Sequence, residues 1–86
     1  MDREALRAKL KDMLAIVDED IAKRAKVGDD IEIREGIGLD SLQVVELLFE
    51  IEEQIGVKIQ DDEAPKIKTV GDLLDLVLKK LAEKQR

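Results

Sequence analysis

Within residues 41–55 an aliphatic residue recurs every three or four positions: Val44, Leu47, Leu48, Ile51 and Ile55. At about 100° per residue these fall on one side of a helix. The stretch also carries its own boundaries. Asp40 is a good N-cap, Gln43 stands at the third helical position where its side chain can reach back, and Gly56 supplies the stop. Two other stretches repeat the pattern. Leu6, Leu10, Met13, Leu14, Val17 and Ile21 predict a helix from Asp2 to about Val17, with room to continue toward Ala25 before Gly28 breaks it. Val70, Leu73, Leu74, Val77 and Leu81 predict a last helix opened by Thr69, whose spacing to Asp72 matches a capping box. Gly71 in its first turn weakens it slightly.

The connections are less regular. GDDIEIREGIGLD, residues 28–40, reads as a loop pinned to the core by Ile31, Ile33 and Ile37. The alternation DIEI resembles a short strand, but no partner strand is evident elsewhere. DDEAPKIK predicts a short helical turn around Asp61–Ala64, ended by Pro65. The expectation is an all-α fold in one domain spanning residues 1–86. It is a small bundle of three main helices plus one short helix, with a long first loop.

Composition narrows the chemistry. The chain has 86 residues and neither cysteine nor histidine. That removes disulfides, thiolate metal sites and the usual general base near neutral pH, which disfavours most enzyme classes. No apolar run approaches the roughly 18 residues of a membrane span, and MDREALRAKLKD is too charged for a secretory signal. A cytoplasmic protein is the default. The core is aliphatic, with Phe49 as the only aromatic residue.

Charge is unevenly placed. Residues 27–65 hold 12 of the 21 acidic residues and 2 of the 15 basic ones. Such a middle disfavours nucleic acid, whose binding needs cations against phosphates. It suits either a solvated acidic face or a basic protein partner drawn in by the field. On the helical wheel of residues 41–55, Leu42, Val45 and Phe49 form a second apolar group beside the core stripe, and Glu46, Glu50 and Glu53 lie opposite it with Glu52 near the trio. The trio either widens the core or makes a contact surface rimmed by glutamates. Of the three, Leu42 is the best candidate for partial burial.

Ser41, the only serine, opens this helix. Four readings compete: a first-turn helix residue, a nucleophile, a phosphorylation site, or an attachment point for a group held through a phosphodiester. A nucleophile needs a positioned base and an oxyanion hole, and GLDSL is not a G-x-S-x-G elbow. A helix N-terminus favours phosphate. In the attachment reading Ser41 needs no base of its own, because another enzyme performs the transfer.

The stretch GIGLDSLQVVELLFEIEEQIGVKI, residues 36–59, resembles the signature of acyl carrier proteins. Asp40-Ser41-Leu42, Val45-Glu46-Leu47 and Glu52-Glu53 match in place, Gly38 precedes the serine by three, and KIKTVGDLLDLV resembles the segment that opens the family's last helix. The resemblance implies a covalent 4′-phosphopantetheine on Ser41 that supplies the missing thiol and carries acyl groups as thioesters. It implies a monomeric carrier, not an enzyme, that meets a phosphopantetheinyl transferase and acyl-transferring, condensing and modifying enzymes with basic docking patches. The implied recognition residues are Asp40, Leu42, Val45, Glu46, Phe49, Glu52 and Glu53. Glu50 joins them from the wheel alone. Gln43 departs from the acidic residue many fatty-acid carriers have there, and Phe49 is bulkier than usual. The competing reading is a helical interaction module that keeps the fold without depending on Ser41.

Overall fold

The computed structural model describes residues 1–84. Its elements are α1 (Arg3–Val17), α2 (Glu19–Arg24), α3 (Ser41–Ile55), a 3-10 turn (Ala64–Lys66) and α4 (Val70–Lys84). Asp2 starts α1 by accepting the Ala5 N–H at 2.7 Å. Leu6, Leu10, Met13 and Leu14 then bury the stripe that the spacing predicts. No strand forms among the described residues, and no described helix is long and apolar enough to cross a membrane.

The first helix does not continue to Ala25. Asp18 adopts an extended conformation, φ −159° and ψ 108°, and breaks the backbone between α1 and α2. Its side chain accepts the Ile21 N–H at 3.1 Å and so starts a new helix where the first one stops. The short helix of this bundle is therefore Glu19–Arg24 and not residues 61–64. Pro65 does not end a turn either. It lies inside the first turn of the 3-10 segment, where a missing N–H costs nothing because that donor would be unpaired anyway.

The long loop is pinned as the isoleucines suggest. Ile33, Ile37 and Leu39 are buried and Ile31 is half-buried. DIEI does find an extended partner, though only at one residue pair. Glu32 bridges Thr69, with the Ile33 N–H on the Lys68 carbonyl at 2.9 Å and the Val70 N–H on the Ile31 carbonyl at 2.8 Å. These bonds fix the loop against the start of α4. Thr69 and Asp72 exchange the reciprocal bonds of a capping box there, each at 3.1 Å. Gly71 has a reason beyond propensity: its N–H meets the Asp29 carbonyl at 2.9 Å, and a Cβ would stand 2.9 Å from that same oxygen. The close approach needs a glycine, which offsets its helix cost.

The core gathers Leu6, Leu10, Met13 and Leu14 from α1, Leu47 and Ile51 from α3, and Val70, Leu73, Leu74 and Val77 from α4. No polar side chain is buried among the described residues. Truncating one of these leucines to alanine typically costs about 2–5 kcal/mol, so the core residues fix how α3 sits.

Candidate functional site

The site begins with a cap. Asp40, extended at φ −84° and ψ 177°, accepts the Gln43 N–H at 2.8 Å, and the Gln43 side-chain oxygen accepts the Asp40 N–H at 3.0 Å. Both halves of the capping box are thus made. The N–H groups of Ser41 and Leu42 open the helix and have no partner within it. Leu39, two residues before the serine, is buried and anchors the chain, while Ser41 itself is exposed. An anchored approach followed by a capped first turn holds the serine at the surface in a defined place. Gln43 also donates its side-chain N–H to Asp18 at 3.2 Å.

A groove of ≈ 920 Å³ lies beside Ser41, between the long loop and residues 64–68. Ile33, Leu39, Val44 and Ile67 give it an apolar side, and Arg34 and Lys68 stand on its border. An exposed hydroxyl at a helix N-terminus, next to an apolar groove, suits a flexible group attached through a phosphate. The same residues offer no catalytic set. No histidine or cysteine exists to activate the hydroxyl, and the described residues hold no cluster of metal-ligating side chains.

The exposed face of α3 carries the apolar trio. Leu42 is 67% exposed, Val45 61% and Phe49 57%. Their place outside the core is settled by Leu47 and Ile51, which bury fully, and by Val44, Leu48 and Ile55, which pack against them. Leu42 is not partly buried; it is the most exposed of the three. On the helix Leu42 shares the side of Val45 and Phe49, at i+3 and i+7, and is exposed with them.

Sequence reasoning missed Ile16. It is 59% exposed on α1 and shares a groove of ≈ 260 Å³ with Val17, Val45, Glu46, Phe49 and Glu50. The available signal was its position off the stripe of Leu6, Leu10, Met13 and Leu14, which left its exposure unexplained by packing. Asp40, Glu46, Glu52 and Glu53 are exposed and Glu50 is half-buried. Among the described residues none of these five carboxylates forms a salt bridge. Glu50 accepts a hydrogen bond from Gln54 at 3.0 Å.

Carboxyls with depressed pKa stand elsewhere. Hydrogen bonds from Arg7 and Arg3 lower Asp29. Lys80 lowers Glu63. The backbone N–H groups of Thr69 and Lys68 lower Asp72. Each shift follows from a bond within the fold.

A family model of the phosphopantetheine attachment site matches residues 4–77. The chain is 38% identical over 79 residues to an acyl carrier protein of Thermosynechococcus vestitus, covering 92% of this chain and 90% of that one. Its structure is similar to the crystal structure of an acyl carrier protein from Thermotoga maritima, with a TM-score of 0.78 and 34% identity, over 96% of this chain and 94% of the other. An acyl carrier protein from Enterococcus faecalis gives a TM-score of 0.70 at 30% identity, over 93% and 99%.

Proposed function

The chain belongs to the acyl carrier protein family, and we propose that Ser41 is the residue that holds its covalent 4′-phosphopantetheine. Members carry acyl groups as thioesters and meet synthesis enzymes and a transferase. The bound arm supplies the thiol that the sequence lacks. The observation that carries the assignment is the setting of Ser41: exposed, first in a capped helix, and bordering the apolar groove.

The chain's own residues then have separate tasks. Asp40 and Gln43 order the first turn, so the serine is presented rather than frayed. Leu39 anchors the approach. The groove residues shelter a flexible guest from water. Leu42, Val45 and Phe49 give partners an apolar centre, and Asp40, Glu46, Glu50, Glu52 and Glu53 draw in basic patches. Ile16 extends that surface onto α1. We read residues 1–86 as one monomeric cytoplasmic carrier domain with no turnover of its own.

Co-expression with a phosphopantetheinyl transferase, followed by intact mass, tests the assignment. Wild type should gain the mass of the arm in full, and Ser41→Ala should gain none while melting at the same temperature. A mass gain that persists in Ser41→Ala would place the arm elsewhere.

A further inference from the structure

Asp18 belongs to three helices at once. Its backbone N–H closes α1 on the Leu14 carbonyl at 2.8 Å. One carboxylate oxygen caps α2 through the Ile21 N–H at 3.1 Å. The other accepts the Gln43 side-chain N–H of α3 at 3.2 Å. Gln43 in turn exchanges two bonds with Asp40, at 2.8 and 3.0 Å. A continuous line of hydrogen bonds therefore runs from the α1–α2 joint to the residue before Ser41. Asp18 and Gln43 are both half-buried, where water competes less for these bonds.

We propose that Asp18 and Gln43 are positioning residues that hold the first turn of α3, and with it Ser41, in the form a phosphopantetheinyl transferase recognises. The inference rests on Ser41 as the attachment residue. Gln43 works in two directions, its carbonyl oxygen toward Asp40 and its N–H toward Asp18. Only an amide does both. A carboxylate at this position would still cap Asp40 but would set a second negative charge against Asp18. The neutral Gln43 is thus matched to the aspartate across from it.

Helix ends open more readily than helix centres. Without the tie, Ser41 would spend part of its time in an unwound turn. The transferase would then meet a smaller competent fraction, which raises KM and leaves kcat largely unchanged.

The test is a cycle of three variants, each assayed by steady-state phosphopantetheinyl transfer. Asp18→Asn keeps an oxygen for Ile21 but points an N–H₂ at the Gln43 N–H₂. Gln43→Glu opposes two carboxylates. The double variant exchanges amide and carboxylate, restoring one donor, one acceptor and the original net charge. Each single variant should raise KM, by at most about five-fold, a cap's typical worth, with kcat within about two-fold. The double variant should return KM to within about two-fold of wild type. The singles change net charge in opposite directions, so a rise in both is not an effect of net charge. Amide hydrogen exchange at Gln43 and Val44, whose N–H groups are bonded to Asp40, should speed up in the singles and slow again in the double.

Singles with wild-type KM, or a double no better than the worse single, would overturn the positioning role while leaving Ser41 as the attachment site. A wild-type chain that gains no mass would instead remove the Ser41 assignment, and this inference with it. Circular dichroism of each variant guards against loss of fold, and the restored double separates a lost contact from a damaged helix.

Discussion

The two ends of this bundle use charge in opposite ways. Where α1 begins, charges are paired. Arg3 binds Asp29 at 2.9 Å and also Asp75, and Arg7 binds Asp29 and Glu4 and donates to the Val27 carbonyl. These contacts fasten the start of the long loop to α1 and α4. Along the exposed face of α3, Asp40, Glu46, Glu52 and Glu53 face water with no cation against them among the described residues. Paired charges serve the chain's own fold. The open acidic face beside an apolar patch serves it little, and that is the arrangement expected where a basic partner completes the pairing.

The sharpest way to break this comparison is to change one charge in each place. Glu46→Lys or Glu53→Lys should cut kcat/KM for phosphopantetheinyl transfer about ten-fold or more at low salt, with less loss at high salt. Their melting temperatures should stay close to wild type, since exposed unpaired charges matter little to folding. Equal losses in stability and transfer would show these residues to be structural.

Asp29→Asn should do the reverse, lowering the melting temperature by a few degrees with transfer unchanged. Its pH dependence follows from sign. Arg7, then Arg3, hold the folded-state pKa of Asp29 below its ordinary value. The stability this gives is present above the unfolded pKa, near pH ~4. It is lost as pH falls through the folded value. Glu63 and Asp72 act with the same sign. Melting curves taken across pH 2–6 should therefore show a shallower acid limb in Asp29→Asn. An unchanged limb would mean that the arginine cluster adds nothing to the fold.

A small stability effect is expected at Phe49. A core aromatic truncated to alanine typically costs ~3–5 kcal/mol. At 57% exposure, Phe49→Ala should cost less than about 1 kcal/mol, measured by urea unfolding, while still weakening partner enzymes. A core-sized loss would move Phe49 from the partner surface into the fold.

Much of this was legible from residue spacing. The core stripes of α1, α3 and α4, the capping boxes at Asp40 and Thr69, and the stop at Gly56 are local patterns, and the structure keeps them. Three readings failed where local signals compete. Asp18 could serve equally as a helix residue or a cap, and the chain chose the cap because α2 turns away to bury Ala22 and half-bury Ile21. Pro65 opens a turn rather than closing one. DIEI is not among them: it forms no strand, as expected, and meets Thr69 at a single bridge. Leu42 faces water with Val45 and Phe49, because the Leu47 and Ile51 side of the helix makes the core contact.

By itself the sequence determined the three long helices, their caps at Asp2, Asp40 and Thr69, the acidic middle and the family to which GLDSL points, since each rests on residues a few positions apart. Tertiary structure alone decided which second apolar face stays in water. It also brought Ile16 beside Val45 and Phe49, and it joined Asp18 to Gln43. Those outcomes depend on how helices pack, and packing is settled by the volume and reach of side chains from distant parts of the chain.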